Sequence, residues 1–166
     1  YPPKVLYFDI ESHSADELWD LEPAEFFRLG QYAWGTDGEV VLTVDRQEML
    51  DQIRAADLVV GHNIHNFDLT ALFGKDSTEP VEMARDGKIL DTFVFAQMAL
   101  PAPDFYVDKN GRTRYVRKPG EVKSWLALDN LAFQLDVTGK IGDLKAMAKK
   151  YGGFCHIPLV LTEFLE

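Results

Sequence analysis

Residues 4 to 10, Lys-Val-Leu-Tyr-Phe-Asp-Ile, make a short apolar run rich in β-branched and aromatic side chains, and one carboxylate, Asp9, interrupts it. Such a run reads as a buried strand. An unpaired charge inside it costs several kcal/mol, at least ~2, so Asp9 calls for a cation or for a strand end open to solvent. Residues two apart on a strand point to one face, which sets Asp9 and Glu11 to converge near the strand's carboxyl end. Both readings stay open at this point: a shared cation site, or a capped strand end with two solvated acids. The same acidic triplet recurs at Asp20-Leu21-Glu22 and Asp37-Gly38-Glu39, in polar surroundings where a solvated carboxylate costs nothing.

The elements that follow narrow the architecture. Ser14-Ala15-Asp16-Glu17 has the capping-box pattern and predicts a short helix. Leu29 to Trp34 and Glu39 to Val44 read as strands, joined by the hairpin chemistry of Gly35-Thr36-Asp37-Gly38. Met49, Leu50 and Ile53 give Arg46 to Ala56 helical spacing; Leu58 to Gly61 reads as another strand, and a helix follows from about Phe67 to Phe73. Ile89 to Phe95 reads as a strand passing into a helix through Asp91, stopped by Pro101 and Pro103. Pro101 to Ser124, with Asn110-Gly111 and Pro119-Gly120, reads as a long loop or a hairpin arm. Helices resume at Leu128 to Leu135 and Asp143 to Tyr151, the latter stopped by Gly152-Gly153. A hairpin first and alternating helix and strand afterwards predict an α/β domain with a mixed sheet. Leu29 to Trp34 is expected antiparallel to the first strand, with Leu58 to Gly61 parallel to it on the other side.

A chain of 166 residues suffices for one domain that buries roughly two thirds of its unfolded surface. No apolar run approaches the roughly 18 residues of a membrane span, so a soluble chain with no membrane contact is expected. Tyr1-Pro2-Pro3-Lys4 carries no leader pattern, and the lone Cys155 fits a reducing, cytoplasmic setting. The net charge of −10 argues against nucleic acid at first sight. The balance is uneven, however: residues 101 to 125 set Lys109, Arg112, Arg114, Arg117, Lys118 and Lys123 against Asp104, Asp108 and Glu121. That stretch is either a surface for single-stranded DNA or a solvated loop.

A second polar segment ends an apolar strand: Val59-Val60-Gly61-His62-Asn63-Ile64-His65-Asn66-Phe67-Asp68-Leu69. Open α/β sheets bind ligands outside the carboxyl ends of their strands, which is where Asn63 and Asp68 fall. The plainer alternative makes Asn66 and Asp68 caps of the next helix. His62 and His65 have no cysteine or third histidine near them, so a zinc site is not expected.

Together, Phe8-Asp9-Ile10-Glu11 and Gly61-His62-Asn63 to Phe67-Asp68 resemble the first and second motifs, D-x-E and N-x3-[FY]-D, of the DnaQ-like or DEDD 3′-5′ exonucleases. Lys88-Ile89-Leu90-Asp91-Thr92 resembles the strand that follows in that family, and Leu128-Asp129-Asn130-Leu131-Ala132 the helix before its third motif. Lys149-Lys150-Tyr151-Gly152-Gly153 and the general layout are most similar to the proofreading domain of phage family A DNA polymerases. The third motif, Y-x3-D or H-x4-D, is absent downstream: Tyr106, Tyr115 and Tyr151 are followed four residues later by Asn110, Pro119 and Cys155, and no aspartate follows Asp143. The expectation is one exonuclease domain over residues 1–166, cut shortly before that motif, with metal binding and activity well below those of a chain extended through the next helix.

The resemblance implies a ribonuclease H-like mixed five-stranded sheet flanked by helices. It implies metal-dependent removal of nucleotides from DNA 3′ ends, with Asp9, Glu11 and Asp68 as catalytic ligands of two Mg²⁺ or Mn²⁺ ions and Asn63 as a polar support. Phe67, Trp19, Arg112, Arg114 and Arg117 are the substrate-binding candidates, Trp19 as a wedge between bases. The implied partners are a single-stranded DNA 3′ end and a polymerase domain in the same parent chain, in host cytoplasm if phage-encoded. Two alternatives accompany this reading: a DEDD-type ribonuclease, and a catalytically inactive domain that grips a single strand or a polymerase.

Overall fold

The first strand, β1 (Val5–Ser12), buries Leu6, Phe8 and Ile10 and leaves Tyr7, Asp9 and Glu11 on the other face. The computed structural model in which this is seen describes residues 1–101, 103–116, 125–137, 149–152 and 156. β1 is thus buried on one face only, and its apolar outer residue, Tyr7, is partly exposed. β2 (Phe27–Trp34) pairs antiparallel with β1, and β3 (Val41–Thr43) antiparallel with β2. On the opposite edge β4 (Leu58–Gly61) runs parallel to β1, and β5 (Ile89–Asp91) parallel to β4. The order β3-β2-β1-β4-β5 is the mixed five-stranded, ribonuclease H-like sheet the sequence led us to expect, with Asp9 on the central strand.

Short and longer helices cover the Leu6-Phe8-Ile10 face. α1 (Pro23–Phe26) buries Phe26. α2 (Arg46–Ala55) is N-capped by Asp45, whose carboxylate accepts from the Gln47 amide at 2.8 Å, and it buries Met49, Leu50 and Ile53. Gly30 lies directly beneath it, and a Cβ there would fall 2.5 Å from the Met49 sulfur, so the methionine packs on the glycine itself. α3 (Asp68–Phe73) adds Leu69 and Leu72 to the same core. Each such fully buried side chain contributes roughly 1.5–3 kcal/mol.

Two elements lack a sequence signal. α1 is a single turn started by Pro23, and α4 (Glu79–Arg85) buries only Met83, so neither shows apolar periodicity. Conversely, the capping-box segment yields only a 3-10 turn at Ala15–Glu17, with Glu17 accepting from the Ser14 amide at 3.1 Å and no buried residue to prolong it.

A second cluster joins α5 (Thr92–Ala99), α6 (Leu128–Gln134) and β6 (Phe105–Val107), which forms a hairpin with the exposed β7 (Thr113–Tyr115). Its buried members are Phe93, Ala96, Tyr106, Trp125, Leu126 and Leu131. Of the two readings of the basic stretch, its described part is a hairpin arm. Residues 143–148, most of the last expected helix, lie outside the described residues. Among the described residues no helix is long and apolar enough to cross a membrane.

Candidate active site

β1 outruns its parallel neighbour. Its pairing with β4 covers Val5 to Tyr7, whereas the strand continues to Ser12. Successive residues of a strand aim their backbone groups at alternate edges. The Val5 carbonyl accepts from the Gly35 amide, on the β2 edge, so Ile10 aims its N–H at the β4 edge, beyond the last paired residue. A buried N–H needs an acceptor. The carboxylate of Asp68 supplies it: Asp68 is 4% exposed, and its Oδ1 accepts from the Ile10 amide at 3.3 Å. At the end of β4, Gly61 lets Ile64 and β1 pack close, since a Cβ there would lie 2.4 Å from Ile64 Cγ2 and 2.9 Å from the Phe8 carbonyl oxygen.

Asp9 and Glu11 line one cleft of about 500 Å³, walled by Tyr7, Gln31, Val60, His62 and Leu128 among others. Gln31, opposite Asp9 in the β1–β2 register, donates Nε2–H to Asp9 Oδ2 at 3.2 Å. Asp68 reaches the residue between the two acids, so both sequence motifs meet at one stretch of β1. Carboxylate oxygens are the donors that Mg²⁺ and Mn²⁺ take, and in that respect the residues fit such a cation. Among the described residues, no three His, Cys, Asp or Glu side chains are gathered closely enough to enclose an ion. The Asp68 carboxylate reaches the backbone of β1 between Asp9 and Glu11, without the three acids closing a cluster.

The turn leading to α3 is built with equal care for its amides. Asn63 adopts φ 63°, the left-handed region that asparagine tolerates better than most residues. Its side-chain oxygen accepts from Asn66 Nδ2 at 3.0 Å. Asp91, 4% exposed at the end of β5, accepts from the amides of Asn63, His65 and Phe93 at 2.8, 3.0 and 2.9 Å. His62 lies within hydrogen-bond distance of Thr92 Oγ1 through Nδ1 and of the Leu126 carbonyl through Nε2, both at 3.0 Å. It tethers the turn to the segment that leads into α6. The reading of Asp68 as a helix cap does not hold, because the N-cap of α3 is Phe67 and the Asp68 carboxylate faces β1 instead.

No protein-family model matches this chain, and no curated protein does. Among solved structures it is similar to the family B DNA polymerase from the hyperthermophilic archaeon Pyrobaculum calidifontis, at 18% identity and a TM-score of 0.34. The match covers 92% of this chain and 18% of that one.

The remaining substrate candidates are dispersed. Phe67 packs on the core, edge-on to Phe26 with centroids 5.9 Å apart. Trp19, 59% exposed, lines a second cleft with Asp20, Glu22, Arg46 and Lys75 rather than the Asp9–Glu11 cleft. Arg112 stands exposed at the hairpin end. Arg114 is committed to Asp108, donating Nε–H to its Oδ2 at 2.9 Å. Arg117 lies outside the described residues. The decoy acids Asp20, Glu22, Asp37 and Glu39 are all exposed, as their polar surroundings predict.

Asp91 and His62 were not picked out by their sequence contexts. Asp91 did carry a usable signal, the same one as Asp9: a carboxylate closing an apolar strand. His62 had none, because its partners lie 30 and 64 residues away.

Proposed function

We propose that this chain is a metal-dependent 3′-5′ exonuclease domain of the DEDD type, acting on DNA 3′ ends beside a polymerase domain of the same parent protein. The observation that carries the reading is the Asp68–Ile10 hydrogen bond, which sets the second motif's carboxylate at the residue between the two acids of the first. Two short motifs that chance alone would scatter are thereby joined on the central strand.

In this reading Asp9, Glu11 and Asp68 hold Mg²⁺ or Mn²⁺. Bound there, the cations supply a water of lowered pKa and neutralise charge at the phosphate. Gln31 orients Asp9, and Gly61 leaves room for Ile64 and the Phe8 carbonyl at the end of β4. Tyr7, Val60 and Leu128 give the cleft an apolar wall against which the terminal sugar and base can rest. Asn63 supports the turn, and Arg112 meets the backbone of the approaching strand. The acidic remainder of the chain explains why a tethered polymerase domain is needed to raise the effective concentration of DNA.

The test is a single-stranded DNA oligonucleotide labelled at its 5′ end, incubated with the protein and Mn²⁺. Stepwise shortening from the 3′ end, lost in Asp9→Ala and on chelation, supports the reading. Shortening that survives Asp9→Ala refutes it. A parallel RNA oligonucleotide decides between the deoxyribonuclease and ribonuclease alternatives, and binding without cleavage by either would favour the inactive single-strand binder.

A further inference from the structure

Asp68, Asp91 and Asp108 are three almost wholly buried carboxylates among the described residues. Asp68 belongs to the proposed site and Asp108 closes the β6–β7 hairpin. Asp91 has no part in either.

Asp91 ends β5 directly opposite Gly61, the last residue of β4. Its Oδ1 accepts from the Asn63 and Phe93 amides and its Oδ2 from the His65 amide. The three donors are shared between both oxygens, which a carboxylate provides, whereas an amide side chain sets a donating NH2 group in place of one of them. Between the two held amides of the turn sits Ile64, wholly buried, whose carbonyl accepts from the Leu69 amide at 3.0 Å. Leu69 follows Asp68, and Asp68 reaches Ile10. Hydrogen bonds, joined by the short backbone stretches between them, therefore link Asp91 through the turn to β1 at the residue between Asp9 and Glu11. They also hold Asn63 in a left-handed conformation that costs energy for any residue with a Cβ.

We infer that Asp91 is a positioning residue: it fixes the Asn63–His65 turn so that the Asp68 carboxylate is delivered to β1 beside Asp9 and Glu11. Asp91 itself touches neither metal nor substrate. The inference rests on the exonuclease reading for its catalytic consequence, but not for its structural one. The same carboxylate caps α5, so β5, the turn and α5 share one anchor.

The experiment compares the full chain with Asp91→Ala, Asp91→Asn and Met83→Ala. The last is a stability control, since Met83 is buried on α4 outside the site. Amide hydrogen exchange, Mn²⁺ affinity and oligonucleotide shortening are measured on each. Asp91→Ala is expected to lower kcat and Mn²⁺ affinity about 10- to 100-fold, with KM changed less than about twofold. Exchange should accelerate at Asn63, His65 and Ile10, while the β2–β3 amides keep their protection. Asp91→Asn, which retains one acceptor oxygen, should fall between Asp91→Ala and the unaltered chain, and it decides the matter if Asp91→Ala does not fold. Met83→Ala should lower Tm while leaving kcat and Mn²⁺ affinity unchanged. Losses that Met83→Ala reproduces at equal Tm, or an Asp91 variant with unaltered kcat and Mn²⁺ affinity, would overturn the positioning role. If the unaltered chain neither binds Mn²⁺ nor shortens DNA, the functional reading fails, and Ile10 decides the inference alone: unchanged exchange there in Asp91→Asn overturns it.

Discussion

The carboxylate of Asp68 and the backbone N–H of Ile10, 58 residues apart in sequence, share a buried hydrogen bond of 3.3 Å. The bond takes the place of a ladder partner that β4 does not extend far enough to provide, and it places a third acid beside the two on β1. Removing either the oxygen or the acidity of Asp68 should therefore have separable effects.

Asp68→Ala leaves the Ile10 amide buried without its acceptor and should destabilise the fold by about 1–3 kcal/mol. Asp68→Asn keeps an oxygen for that amide and should cost less than about 1 kcal/mol, yet it should weaken Mn²⁺ binding nearly as much as alanine. Urea denaturation and calorimetric Mn²⁺ titration of both variants check this. Equal stability losses would mean that the hydrogen bond contributes nothing.

Gly61→Ala tests the close approach at the end of β4. The added methyl would meet Ile64 Cγ2 at 2.4 Å and the Phe8 carbonyl oxygen at 2.9 Å. Ile64 is wholly buried and Phe8 offers backbone, so neither gives way cheaply, and a loss of about 1–3 kcal/mol is expected in chemical denaturation. A neutral substitution would show that the sheet edge can open.

Acid should loosen the hairpin. The Arg112 amide, then the Arg114 guanidinium, hold the Asp108 carboxyl below its ordinary value of 3.8. A carboxylate with a depressed folded pKa contributes in full above the unfolded value and loses that contribution as pH falls through the folded one. The hairpin should stay intact at neutral pH and lose protection at the Asn110 and Arg112 amides only below 3.8. Amide exchange followed down through that range checks it, and Asp108→Asn should abolish the transition.

Arg112→Ala should weaken binding to single-stranded DNA and reduce the slope of log affinity against log salt by about 0.7 for one lost phosphate contact. Arg114→Ala should do more, because it also deprives Asp108 of its side-chain donor and leaves it the Asn110 and Arg112 amides alone. Fluorescence anisotropy over a salt series is the measurement, and unchanged affinity at low salt for Arg112→Ala would remove the hairpin from the DNA path.

How far the sequence could be read depended on the range of the interaction concerned. Asp9 and Glu11 on one face, the hairpin after Gly35 and the α2 core residues follow from chemistry within a few positions of each other, and all three stand in the structure. α4 was silent because one buried methionine makes no period. Trp19 shows the limit from the other side: its nearness to β1 in sequence suggested a place at the acidic cleft, and the 3-10 turn carries it to another.

The sequence by itself determined that β2 and β4 flank β1, the face on which the two acids of β1 lie, and the segment that carries Asp68, because side-chain alternation, turn chemistry and the handedness of a crossover follow from the order of residues along the chain. Only the tertiary structure decided that Asp68 turns from its own helix to the Ile10 amide and that Asp91 holds the turn delivering it. Those choices are made by buried N–H groups that must find an acceptor once water is excluded, and which acceptor is in reach is known only when β1, β4 and β5 lie side by side.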